Sequence, residues 1–180
     1  MANLGYLEKY FTFSRIGDFQ KAKLFPNLKE VTESMGILEA CLLISDTQGI
    51  KRNNPNVKVI VVGDGHRPRT AALVASCTAW SSVSIDPALI IGNPFPKVES
   101  IKSKVEDIAN DKLSYDIPVI VCFPHSHASM TTALGKIKAP IRHLVSLPCC
   151  VPDDIYNPDI TYQDDNIMSK MNKVNIYLDR

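Results

Sequence analysis

Val59-Ile60-Val61-Val62-Gly63-Asp64-Gly65-His66-Arg67-Pro68-Arg69-Thr70 is the stretch that decides how this chain folds. Four β-branched residues in succession describe a strand buried on both faces, the habit of a parallel sheet. Gly63 and Gly65 then permit a tight turn with little side-chain bulk. Pro68 stands where a helix begins, and Thr70-Ala71-Ala72-Leu73-Val74-Ala75-Ser76 carries that helix onward. A strand, a glycine turn and a helix amino terminus leave free N–H groups at the mouth of the turn, which suits a ligand of nucleotide size.

Working outward, residues 28 to 45 have helical spacing, with Leu28, Val31, Met35, Leu38, Leu42 and Leu43 largely on one face and Gln48-Gly49 as the stop. Before that helix, residues 1 to 27 hold Tyr6, Tyr10, Phe11, Phe13, Phe19 and Phe25, half of the chain's Tyr and Phe, and read as a short helical or irregular segment packing its rings on the core. After the glycine turn the helix runs from about Pro68 to Ala79, and a second short strand covers Ser82 to Asp86. Gly92, Pro94 and Pro96 make residues 88 to 96 a loop. Val98 to Val105 fits either a helix or a strand. Pro118 to Phe123 is a second buried strand, Ser129 to Ile137 a short helix, Ile141 to Leu147 a further strand, and Val174 to Leu178 the last. Strands alternating with helices predict an α/β domain of Rossmann-like type, with an open, mostly parallel sheet and flanking helices. Residues 1–180 form one domain in this reading. It has an amino-terminal helical segment (1–50), a core (57–150) and a carboxy-terminal loop with the last strand (151–180).

Composition narrows the class. With 180 residues, 45% apolar and 22% charged, the chain is an ordinary globular one. A formal net charge of +1 supplies no overall field toward nucleic acid or anionic membrane. No apolar run approaches the roughly 20 residues that span a bilayer. The start, Met-Ala-Asn-Leu-Gly-Tyr-Leu-Glu-Lys, lacks a secretory pattern, and five cysteines fit reduced thiols, so a cytoplasmic location is expected.

In an open α/β sheet, ligands bind outside the carboxyl ends of the strands. Those ends carry Gly63-Asp64-Gly65, Asp86-Pro87, Phe123-Pro124-His125 and Leu147-Pro148-Cys149. Asp86 lies 23 positions after Gly63, which suits a carboxylate accepting from two ribose hydroxyls. A dinucleotide fingerprint would want a third glycine at Pro68, and Arg67-Pro68-Arg69-Thr70 is no P-loop, so NAD and ATP lose ground.

Taken together and in order, residues 57 to 150 resemble the class I S-adenosylmethionine-dependent methyltransferases. Val59 to Gly65 resembles their first motif, which implies that Gly63, Asp64 and Gly65 meet the cofactor. Ile85-Asp86, with Pro87, resembles the acidic end of strand two that holds the ribose. Val105-Glu106-Asp107 resembles the acidic motif beside the adenine. Phe123-Pro124-His125 stands where the family places its fourth motif, next to the transferred methyl group. The resemblance thus implies S-adenosylmethionine as cofactor and a methyltransferase with an acceptor that the sequence does not name. Two features differ from the family: Val61 stands two positions before the first glycine, where an acidic residue is usual, and the segment between strands two and three is too short for a full crossover helix.

Methyl transfer mainly needs positioning, with a base where the acceptor has a proton to lose. His125 is the candidate base, because imidazole titrates near neutrality; the competing reading has both His125 and His127 capping the following helix. His125 and His127 could instead share a metal with Cys149, Cys150 or His143. However, there is no Cys-x-x-Cys pair and the side chains of adjacent cysteines diverge, so no metal is expected. Asp153, Asp154, Asp159, Asp164 and Asp165 read as a solvated acidic loop. A non-catalytic relative of the same fold, docking a protein partner on its sheet edge or aromatic segment, is the second reading. A metal-dependent nucleotide hydrolase using Asp64 and the histidines is the third.

Overall fold

The structure is a computed structural model that describes residues 4–90 and 95–180. Seven strands form one sheet: β1 (Lys58–Val62), β2 (Ser81–Ile85), β3 (Val98–Ile101), β4 (Val119–Pro124), β5 (Arg142–Leu147), β6 (Ile160–Gln163) and β7 (Lys173–Tyr177). Their order across the sheet is β3-β2-β1-β4-β5-β7-β6. The first five strands are mutually parallel, whereas β7 runs antiparallel to both β5 and β6. This is the open, mostly parallel Rossmann-like α/β arrangement expected from the alternating pattern. Strand order reverses between β1 and β4, so the switch point, where such sheets hold their ligands, lies between Gly63 and His125.

Side chains of β1 alternate between two cores. Val59 and Val61 face a cluster built on α3 (Leu28–Gln48) and α4 (Arg69–Cys77), while Ile60 and Val62 face one with Val105, Ile108 and Met130. The second core is covered by α5 (Met130–Lys136) and by the 3-10 turn Val105–Asp107. Val98–Val105 therefore resolves into a strand followed by that turn. Among the described residues no helix joins β2 to β3, as the short spacing implied; the predicted 88–96 loop falls partly on residues 91–94, outside those described.

Three expectations need correction. α3 is not amphipathic but submerged: Met35, Ile37, Leu38, Ala40, Cys41 and Ile44 are all essentially inaccessible. It touches α1 (Gly5–Phe11) and α4 as well as the sheet, so it has little wet face to mark in sequence. Second, β6 lies inside the stretch read as an acidic loop, where Ile160-Thr161-Tyr162-Gln163 pairs with β7. Third, the aspartates around it are not merely solvated. Asp153 accepts from Ser146 Oγ (2.6 Å), Asn175 Nδ2 (2.8 Å) and the Tyr177 hydroxyl (2.8 Å). Asp154 accepts from the Met130 amide at 2.9 Å and from Ser129 Oγ at 2.5 Å, and Asp164 is buried and accepts from Tyr6. These carboxylates tie the carboxy-terminal segment to β5, β7 and the start of α5.

The amino-terminal rings pack as predicted. Tyr10 meets Phe13, Phe25 and, on α2 (Ile16–Lys21), Phe19, with ring centroids 5.5–6.1 Å apart. Tyr10 and Phe19 are buried and Phe11 is exposed. No helix among the described residues is long and apolar enough to cross a membrane.

Candidate functional site

At the carboxyl end of β1 the chain turns through Gly63 and Gly65, both with positive φ (84° and 79°), a conformation nearly reserved for glycine. The Gly63 amide donates to the Ile85 carbonyl at 2.8 Å and holds the ends of β1 and β2 together. The Gly65 amide donates to Asp86 Oδ2 at 2.8 Å, and Asp86 Oδ1 accepts from the Ala88 amide at 2.7 Å. Asp86 is thereby fixed by one amide on each oxygen.

A cavity of about 420 Å³ opens there, of the size that small ligands occupy. Gly63, Asp86, Pro87, Glu106 and His125 all line it, together with Val62, Ile85, Ser126 and His127. The remaining sequence candidates are placed elsewhere. Gly65 and Asp107 are not in its wall; Phe123 is buried in the core beneath the loop, and Pro124 lines a second cavity on the other side of His125.

Asp64 turns inward. Its carboxylate is buried and accepts from the Thr70 amide (2.9 Å), the Ala71 amide (3.2 Å) and Ser84 Oγ (3.0 Å), so it caps α4 in place of the missing side-chain cap at Pro68. Burial pushes its carboxyl above the usual range, against the two amides, Arg69 and Ser84, which favour the charged form. Sequence shows the acid but not its direction. Asp64 borders the second cavity with His125 and His127, but both its oxygens are taken by the two amides and Ser84, and among the described residues it is not in the group placed to share a metal, which removes the arrangement the hydrolase reading needed.

The second cavity, about 380 Å³, is walled by α3, the β1–α4 turn and the loop after β4. It is the polar side of the site. Arg69 pairs with Glu30 at 2.8 Å, and Lys29 with Glu33 at 3.2 Å. His125 Nε2 lies 3.0 Å from Glu33 Oε1, an ion-pair contact rather than a well-aligned hydrogen bond. Burial would raise the Glu33 carboxyl, but His125 and Lys29 outweigh it and hold it below its ordinary value. His125 sits at φ +51°, a strained backbone for a side chain of that size, and its amide donates to the Leu147 carbonyl at 3.0 Å. A base backed by a buried carboxylate can take up a proton and keep the resulting imidazolium paired. Glu33 escaped sequence reading because it lies on α3, remote in the chain from any motif.

Ser126 lines the first cavity beside Gly63, which borders both cavities. A side chain added at Gly63 would meet its Oγ at 2.6 Å and its Cα at 3.2 Å, so Ser126 lies directly over the glycine turn. His127 and the adjacent Cys149 and Cys150 form a third feature. A bend after β5 brings the two sulfurs within 3.9 Å, and Cys150 Sγ lies 3.4 Å from His127 Nε2. The expectation that neighbouring cysteines diverge fails here, because that rule holds for extended backbone and Cys150 sits in a bend.

No protein-family model matches the chain, and no curated protein does. Among solved structures it is similar to a single-site mutant of MtNAS, a nicotianamine synthase, with 13% identity, a TM-score of 0.49, and 80% of this chain and 60% of that one covered. It is also similar to a mutant of the 16S rRNA (adenine(1408)-N(1))-methyltransferase from Catenulisporales acidiphilia, with 18% identity, a TM-score of 0.38, and 57% of this chain and 58% of that one covered. The chain thus matches about three fifths of the length of each. Likeness this distant is a matter of general architecture.

Proposed function

We propose that the chain binds S-adenosylmethionine at the switch point and transfers its methyl group to an acceptor. The observation that carries this reading is convergence: Gly63, Asp86-Pro87, Glu106 and His125 come from four separate segments and line one cavity of about 420 Å³. The residues fit the group. Asp86, fixed by the Gly65 and Ala88 amides, offers lone pairs to ribose hydroxyls. Val62, Ile85 and Val105 offer apolar wall to the adenine, with Glu106 at its edge. Gly63, which borders both cavities, would be the residue that leaves room for the rest of the cofactor. When bound, it supplies an electrophilic methyl carbon on a sulfonium. His125 accepts the proton of an acceptor that has one to lose, and Glu33 stabilises the charge that His125 gains.

The test is ligand-induced stabilisation. S-adenosylhomocysteine at one hundred times its dissociation constant should raise unfolding free energy by about 2.7 kcal/mol, and Asp86→Ala should remove most of that gain. Absence of any gain with the wild-type chain sinks the reading.

A second reading is a non-catalytic binding module of the same fold. It draws on Ser126, which covers Gly63, and on Asp86, whose two oxygens already hold backbone amides. It expects no cofactor response and a stoichiometric protein partner.

A further inference from the structure

We infer that His127, Cys149 and Cys150 form a zinc site with one open coordination position. The topology explains why the three meet. β4 and β5 are adjacent parallel strands in register, with Pro124 opposite Leu147, so the loops leaving them run side by side. His127 lies three residues beyond the first strand end, and the cysteines two and three beyond the second.

The spacing suits the metal. Tetrahedral zinc, with Zn–S of about 2.3 Å and Zn–N of about 2.0–2.1 Å, places two sulfurs about 3.8 Å apart and a sulfur and a nitrogen about 3.6 Å apart. The observed separations are 3.9 Å for the two sulfurs and 3.4 Å for Cys150 Sγ and His127 Nε2. All three donor atoms fall within 4.8 Å of one another. Two thiolates and one imidazole favour zinc over magnesium or calcium, which prefer oxygen.

Among the described residues no further His, Cys, Asp or Glu joins the group. Three protein ligands leave a fourth position for water or an exchangeable ligand, the pattern of reactive rather than purely structural zinc. His127 and Cys149 both line the second cavity, so the open position borders the polar side of the site. The zinc also clasps the β4–α5 loop, which carries His125 and Ser126, to the segment after β5. The inference does not depend on whether an adenosyl group binds.

The full chain, purified metal-free under a phosphine reductant, should take up one zinc per chain in competition with a chromophoric chelator. Cobalt in its place should give thiolate-to-metal charge transfer and tetrahedral d–d bands, which shift when imidazole fills the open position. Cys149→Ser and His127→Gln should each weaken zinc by at least the roughly 10–100-fold that loss of an outer-shell partner alone costs. Cys77→Ser, a half-buried thiol elsewhere, should not weaken it. Wild-type chain that takes up no zinc and shows no thiolate charge transfer overturns the site. Zinc held equally by both ligand variants, with metal-free melts matching wild type, overturns it as well, and cobalt bands indifferent to imidazole overturn the open position.

Discussion

Replacing Asp64 by Ala strands the Thr70 and Ala71 amides at the start of α4, where Pro68 offers no side-chain cap. Loss of a cap and of a buried acceptor should lower stability by about 2–3 kcal/mol, read as the urea midpoint at constant m-value. Asp64→Asn keeps one acceptor and should cost less, while leaving the affinity for S-adenosylhomocysteine unchanged. A large affinity loss in that variant would return Asp64 to the binding site. His143 supplies a titration. Burial holds its imidazole below the ordinary value against the opposing pull of Asp179, and its Nδ1 accepts the Asp179 amide at 3.2 Å, so the folded state keeps it neutral. On acidification the unfolded chain protonates first, near pH 6.5. Its contribution is therefore complete above about pH 6.5 and is lost as pH falls toward the lower folded value. Urea midpoints taken between about pH 8 and pH 5 should fall for wild type and fall less for His143→Asn.

At the scale of elements, α3 shows both how the sequence could be read and where reading stopped. Its ends were legible, because Asn27 accepts the Glu30 amide at 3.0 Å and Gly49 adopts φ +68°, both local signals. Its environment was not, since a helix wrapped by α1, α4 and the sheet leaves no polar stripe to set the phase. Gly36 in its middle is explained only by a contact from residue 167: a Cβ there would lie 2.5 Å from Ile167 Cδ1 and 3.0 Å from Cγ1. Gly36→Ala gains about 1 kcal/mol of helix propensity but loses about 1–3 kcal/mol to overpacking. Ile167→Val removes the clashing methyl, so the two changes should be non-additive by about 0.5–3 kcal/mol in a double-mutant cycle. Strict additivity would mean that α3 and the Ile167 segment do not press on one another in solution. β6 escaped for the opposite reason. Four residues flanked by Asp159 and Asp164 make too short a period-two signal, and pairing with β7 supplies what the sequence lacks.

Across the whole molecule, the parallel strands were legible because burial on both faces writes itself as an unbroken β-branched run. The convergence of Asp86, Glu106 and His125 was legible because strand ends face one way. What depends on lateral order was not: the cysteines meet His127 only because β4 and β5 are neighbours, and Glu33 meets His125 only because α3 packs beneath the switch point. Ser126 belongs to the same class. It lines the cavity proposed for adenosine and sits over Gly63, which borders both that cavity and the second, more polar one, and its Oγ accepts the Ala128 amide at 3.2 Å. A ligand held at the Asp86 and Glu106 end of the first cavity need not disturb it, whereas one that crosses the glycine turn must displace it. Ser126→Gly should therefore tighten S-adenosylhomocysteine about tenfold, about 1.4 kcal/mol, and leave adenosine unchanged, both measured by calorimetry. Equal tightening of both would place Ser126 in the adenosine subsite, and no change in either would mean that the ligand never passes over Gly63.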